Sequence, residues 1–472
     1  ELDILARGVM GLTMNCPRCH DHKYDPLTQT DYYQLAAIFK GAYDEYDWMT
    51  PQPFSNQWEK MKHRHLAIAL PDEKNEWEAK MATHNKKLEE MKASLAKFDK
   101  TKTKEIQNLK RAISNYEKAK PIEPKIRALW DRGRPTTTYV YRRGDHLLPG
   151  GKVTPNVPQT FAGKIPFQIE KPWPESRQTG RRLAFARWLT DERNPLTARV
   201  MVNRIWTHHF GVGLVATMDN FGKTGSPPSH PELLDWLAAE FMENGWSIKH
   251  IHRLILTSTA WRQDSRVTEV HREKDPENVL LSRMPMQRMD AEQVHDSLLA
   301  VAGVLDIKPF GQPDQVTVRD DGLVTANARD GKWRRSIYVR QRRKEMPTLL
   351  ETFDLPQMNP NCIKRTPSTV VTQPLHLLNN RSVQQLAQQM AERIQKQVGD
   401  DVETQIQQGY LLALNRAATD REKEASRRAL ASFVTYRESE ETPDKVKSTP
   451  GTLALADLCH TLINSAAFLY ID

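Results

Sequence analysis

Cysteine is scarce in this chain, 4 among 472 residues, which excludes a small scaffold stapled by disulfides. Long apolar runs are missing too: no stretch of about eighteen apolar residues occurs, so no segment reads as a membrane-spanning helix. Several enzyme signatures are absent. There is no P-loop, no G-x-G-x-x-G after a strand, no H-E-x-x-H and no G-x-S-x-G. That removes the motif-level case for nucleotide hydrolysis, dinucleotide binding, zinc proteolysis and serine-nucleophile hydrolysis. Asp and Glu are numerous, but no pair stands out as a hydrolytic dyad, and no solenoid-length repeat is present.

What remains is a globular composition, 39% hydrophobic and 27% charged, on a chain long enough for two or three domains. The net charge of +9 reads first as a solvated surface with a modest basic excess. Its second reading is a bias toward an acidic partner such as an anionic polysaccharide. Nucleic acid is not expected as the partner.

Two of the few cysteines sit together in Cys16-Pro17-Arg18-Cys19-His20. At this Cys and His content a random C-x-x-C-H is expected on the order of 0.001 times. The pattern is that of c-type haem attachment. Two thiols three positions apart reach both vinyl groups of one porphyrin, and the following histidine becomes the proximal iron ligand. Zinc is the alternative cofactor, with His22 nearby, although no second ligand pair lies at a finger-like distance. A redox dithiol or a plain structural turn stays open as well. For the sixth iron position, Met10, Met14 and His22 are close in sequence, and His208, His209 or His230 would have to arrive by folding. Asp21, His22 and Asp25 suit orientation of His20 or a separate cation; Asp25 before Pro26 equally suits turn capping.

The periodicity predicts a mainly α, multi-domain helical protein with a helical-hairpin or coiled-coil arm and a few short strands. Residues 1–57 form a small helical unit around the cysteine pair. There Leu2, Leu5, Ala6, Val9 and Met10 share one helix face ended by Gly11, and Thr28-x-x-Asp31 caps a second face of Tyr32, Leu35, Ala36 and Phe39. Residues 58–120 are Lys/Glu-rich, with Trp77, Met81, Leu88, Met91, Leu95 and Phe98 at helical spacing. Residues 121–180 are a Pro/Gly-rich linker: a strand at Thr136–Tyr141, then turns at Arg143-Gly144-Asp145 and Leu148-Pro149-Gly150-Gly151. Residues 181–472 read as a mainly helical domain. In it, Ala198, Met201, Val202, Ile205 and His209 share a face, Ser229-His230-Pro231-Glu232 is a capping box, and Ser336–Val339 is a short strand. Helices return over 380–430 and 452–468.

Arg334, Arg335, Arg340, Arg342, Arg343 and Lys344 form the densest basic cluster, interleaved with Trp333 and Tyr338. It is the anion-binding candidate, for a haem propionate or a sulfated or uronic sugar, with a solvated strand face as its plain reading. His209 reads as a core histidine. Asn203 and Arg204, on the other side of that helix, suit an anion or the protein's own carboxylates. Cys459 reads as a buried thiol and Cys362 as a loop thiol, and a disulfide between them stays open.

The stretch from Gly11 to Pro26, with its Asn15-Cys16-Pro17-Arg18-Cys19-His20-Asp21-His22-Lys23-Tyr24-Asp25-Pro26 core, resembles the end of the planctomycete-type cytochrome-c-like domain. Asn194-Pro195-Leu196-Thr197-Ala198-Arg199, Val202-Asn203-Arg204-Ile205-Trp206, His209-Phe210-Gly211-Val212-Gly213-Leu214-Val215, Ser229–Leu237, Arg334–Tyr338 and Leu462–Ser465 resemble its usual C-terminal partner. These are domains of unknown function 1549 and 1553. The resemblance implies a cytochrome and supplies no reaction; whether the chain is an enzyme stays open. Haem attachment implies maturation outside the cytoplasm, hence a periplasmic or otherwise exported protein with an unnamed redox partner. The chain opens at Glu1 inside a helix pattern, which reads as a piece or processed product of a longer protein.

Overall fold

A computed structural model describes residues 2–44, 65–67, 71–97, 103–121, 123, 125–127, 129, 131, 133–163, 165–311, 313–342, 344–356, 362, 364–439 and 448–471. The fold is mainly α-helical, and among the described residues strands occur only in two-stranded pairs. No described helix is long and apolar enough to cross a membrane. Two compact units result: Met14–Asn194 with Leu2, and Asp3–Thr13 with Pro195–Asp472.

In the 14–194 unit, the helix Gln29–Phe39 is started by a reciprocal cap. Thr28 accepts from the Asp31 backbone N–H, and the Asp31 carboxylate accepts from the Thr28 N–H, as the Thr28-x-x-Asp31 spacing predicts. The buried face differs from the predicted one. Tyr33, Leu35, Ala37 and Ile38 are buried, whereas Tyr32, Ala36 and Phe39 are half-buried. The helix is covered on two sides: Tyr33 meets Tyr141 edge-on at 5.1 Å, and Phe39 meets Phe185 at 5.8 Å. A single-stripe reading fails for a helix packed between two elements.

The predicted strand lies at Thr138–Tyr141, but its partner corrects a turn assignment. Pro149–Val153 is not a turn; it pairs antiparallel with Thr138–Tyr141. Proline is tolerated as the first residue of a strand. Gly150 suits the pairing, because a Cβ there would stand 3.0 Å from the Val140 carbonyl. The Lys-rich arm is a pair of packed helices, Pro71–Ala96 and Thr103–Lys118. His84 stacks on Tyr116 at 4.3 Å, and Lys92 reaches Glu117 at 2.9 Å. Phe98 lies outside the described residues.

In the 195–472 unit, Gly11 ends the N-terminal turns in a left-handed conformation, φ +61°, and accepts from the Phe221 N–H at 2.7 Å. One core packs Thr197–Phe210, Pro231–Glu243 and Ile248–Thr257 through Val202, Trp206, Phe210, Leu237, Phe241 and Ile251. A second packs Ala291–Ala302, Arg381–Val398, Val402–Leu414, Asp420–Ser439 and Pro450–Ile463 around Leu298, Leu350, Met390, Ile394, Leu458 and Ile463. Two local expectations are corrected. His230, not Ser229, is the N-cap of Pro231–Glu243, and no side chain caps that end; Pro231 at the first helical position needs no acceptor for a missing N–H. Ser336–Val339 is not a strand: Trp333–Arg334 pairs in parallel with Leu305–Asp306, and Ser336–Tyr338 is one tight turn. There the Ser336 N–H goes to the Asp296 carboxylate at 2.7 Å instead of a ladder.

Candidate functional site

Cys16–Arg18 form a single 3₁₀ turn, and the N–H groups of Cys19 and His20 both donate to the Cys16 carbonyl, at 3.1 and 3.3 Å. Pro17 is buried beneath the turn, while both thiols are exposed and unbridged. The His20 ring is exposed as well, with Nδ1 2.7 Å from the Asp21 carbonyl oxygen. A carbonyl only accepts, so in the neutral ring Nδ1 carries the proton and Nε2 keeps its lone pair.

Two elements hold this turn. From the helix Gln29–Phe39, the Tyr33 hydroxyl and Gln29 Nε2 donate to the Arg18 carbonyl at 2.9 and 3.2 Å. Gln29 also reaches the Tyr141 carbonyl at 3.0 Å, and its N–H donates to the Asp21 carboxylate at 2.7 Å. Burial, then Tyr32 beside it, pushes the Tyr33 phenol up to about 12, so it stays a neutral donor. From the strand pair comes Gly144, at φ +75°; a Cβ there would lie 2.8 Å from Cys19 Sγ. Only a residue without a side chain comes this close in that conformation.

His22 and Asp25 turn inward. His22 Nδ1 accepts from the Asp25 and Tyr24 N–H groups at 2.9 and 3.3 Å, and the Asp25 carboxylate is 3.5 Å away, with both side chains buried. The pair closes the loop before the helix Gln29–Phe39. Among the described residues no group of three or more His, Cys, Asp or Glu side chains is gathered around a metal position. Met10 and Met14 are both completely buried, each in its own unit.

The other singled-out residues take places inside the 195–472 unit. His209 Nε2 meets His252 Nδ1 at 2.7 Å, and burial, with the nearby His252 and His208, lowers the His209 pKa. His208 is exposed, and His230 Nδ1 meets the Ser229 hydroxyl at 3.0 Å. Asn203 is buried and clamps the Val215 backbone in both directions, at 2.8 and 2.9 Å. The arginine cluster does not form one open patch. Arg334 is buried, with its guanidinium on the Asp314 carboxylate at 3.0 and 3.1 Å and over the Tyr338 ring. Arg335 is on Asp296, Arg340 on Gln315 and Arg342 on Glu345. Lys344 is exposed; Arg343 lies outside the described residues. A strand-like spacing of arginines carries no information about which carboxylates fold against them. Cys459 is buried and Cys362 exposed, and both are free thiols, so the open question of a disulfide between them resolves against it.

Sequence reasoning missed a cleft of about 840 Å³ in the 195–472 unit, bordered by Arg204, Arg288, Glu292, Cys362 and Arg365 among others. Arg204 and Cys362 stood out one at a time. Arg288, Glu292 and Arg365 carried no motif, because folding brings them together over about 80 residues of chain.

Comparison with protein families gives two matches. Residues 1–44 match the model of PSCyt2, a protein of unknown function (DUF1549). Neither curated proteins nor solved structures yield a match. The second family match spans residues 181–430, more than half of the chain, so this chain belongs to the PSD1 family of proteins of unknown function (DUF1553).

Proposed function

We propose that this chain is an exported c-type cytochrome-like protein that works in electron transfer, with Cys16 and Cys19 holding one haem and His20 supplying a nitrogen to its iron. The observation that carries this reading is the donor set. Two exposed thiols share one tight turn, and the next histidine has Nδ1 occupied by a carbonyl, which leaves Nε2 as the ligating atom. A backbone carbonyl on Nδ1 is the usual outer partner of a metal-bound histidine; it fixes the ring and raises the basicity of Nε2.

Cys16 and Cys19 would hold the haem covalently, each contributing sulfur and its proton to one vinyl group, so no oxidant would be needed. Haem, when bound, supplies one-electron chemistry. The protein's own residues do the rest. Tyr33 and Gln29 hold the Arg18 carbonyl and with it the turn, Asp21 holds His20 through its carbonyl, and Gly144 leaves room beside Cys19. Export places the thiols where such attachment occurs, in the periplasm or outside the cell.

The test is expression with an export signal in a host that matures c-type cytochromes, followed by a haem-stained denaturing gel and a reduced pyridine spectrum. Covalent stain is expected in the parent chain and none in Cys16→Ala/Cys19→Ala. An unstained, well-exported parent would overturn the reading and send attention to zinc or to an unliganded turn.

A further inference from the structure

We propose that the cleft of the 195–472 unit is a binding site for an oxyanion-bearing, hydroxyl-rich small molecule, with Arg204 as its anchoring cation. The cleft encloses about 840 Å³, the size range of small-molecule sites. Its charges balance unevenly. Glu292 receives Arg365 through two bonds at 2.6 and 2.7 Å, and Asp290 lies 3.3 Å from the same guanidinium. Arg288 is buried against Asp354 at 2.8 Å and the Ser368 carbonyl at 2.8 Å. Both acidic residues among the described part of the wall, Asp290 and Glu292, are thus already matched by Arg365, and Arg288 has its own carboxylate.

Arg288 Nε is buried without an acceptor among the described residues, but Arg204 differs in having no carboxylate bonded to it there at all. It projects from the helix Thr197–Phe210, and its Nε and Nη2 are likewise buried with no acceptor among the described residues. Burial lowers its pKa, and the carboxylate acting on it electrostatically is Asp219, which is itself bonded to Arg7 at 2.8 Å. A buried guanidinium edge without an acceptor is costly for a folded chain. An oxyanion in the cleft that this residue borders supplies the missing counter-charge, and carboxylate, sulfate and phosphate groups all suit a guanidinium. Lys364, exposed at the same cleft and in no ion pair among the described residues, adds a second positive charge. The remaining wall mixes amides and hydroxyls, among them Gln293, Gln341, Thr207 and Thr369, with apolar side chains such as Met218, Met286 and Leu355. Such polar groups pair with the hydroxyls of a polyol, and the apolar side chains face its C–H surface.

The experiment uses the whole chain. Thermal unfolding and calorimetric titration are run with sodium glucuronate, glucose 6-sulfate, inorganic sulfate and inorganic phosphate, against sodium chloride at matched ionic strength, and with neutral glucose. The parent, Arg204→Met and Lys364→Ala are compared. Expected is a saturable rise in melting temperature with at least one oxyanion and none with chloride or glucose. The apparent Kd should weaken at least tenfold in Arg204→Met and about threefold in Lys364→Ala. Arg204→Met should melt no lower than the parent without ligand, since it removes an uncompensated cation and keeps the stem; a purely structural arginine would give the opposite result. The arms separate a carboxylate from a sulfate or phosphate ligand. No oxyanion effect beyond chloride, an equal effect of glucose, or an undiminished effect in Arg204→Met overturns the proposal.

Discussion

At the scale of single residues, His20 and the cysteines behave according to what surrounds them. If haem is attached as proposed, His20→Ala should keep it covalently bound, because both thiols remain, while the reduced absorbance spectrum shifts as the histidine nitrogen is lost; a complete loss of stain would make His20 a folding residue instead. Alkylation of the haem-free chain followed by mass spectrometry should mark Cys16, Cys19 and Cys362 under native conditions. Cys459, whose thiol burial pushes up to about 12, should react only after unfolding. Glu422 offers a pH test. The Arg416 guanidinium at 2.7 and 2.8 Å and the Thr419 N–H hold its carboxyl down at about 2. A lowered carboxylate pKa stabilises the fold fully above the unfolded value near 4.3, and that contribution fades as pH falls toward 2. Glu422→Gln should therefore lower the melting temperature at pH 7, with a deficit that shrinks through this window and closes near pH 2.

Among the elements, the helix Gln29–Phe39 organises the proposed haem turn, and its start depends on Asp31. This carboxylate is buried and accepts from the Thr28 N–H, the Thr28 hydroxyl and the Gln159 N–H, at 2.8, 2.8 and 2.9 Å. Asp31→Ala leaves all three donors without an acceptor, two of them at a helix start, and should cost about 3 kcal/mol in chemical denaturation. A change below about 1 kcal/mol would mean that water replaces the carboxylate at this site. Gly144→Ala acts from the hairpin side. It places a Cβ against Cys19 Sγ at a positive φ and should reduce haem attachment more than it reduces stability.

For the whole molecule, stability rests on apolar packing within each unit. Ile394 is completely buried in the second core of the 195–472 unit. Ile394→Ala should destabilise that unit by about 2–5 kcal/mol in urea unfolding, whereas Leu147→Ala, at a side chain 73% exposed, should change little. Equal effects at both positions would contradict this core.

The sequence by itself determined the class of the fold and the position of the turn that matters. Helical spacing placed the amphipathic segments, Thr28-x-x-Asp31 announced a helix start, Gly11 announced a stop, and Cys16-x-x-Cys19-His20 marked the turn on which the haem proposal rests. Each of these signals spans a few residues, and local sterics decide its conformation. Only the tertiary structure decided which faces of the helix Gln29–Phe39 are covered, and that Pro149–Val153 is a strand rather than a turn. It also decided that Arg334 belongs to Asp314 and that Arg204, Arg288 and Arg365 share a cleft. Those outcomes depend on which distant groups arrive within hydrogen-bonding distance, and charge pairing across tens to hundreds of residues leaves no periodic trace in the chain.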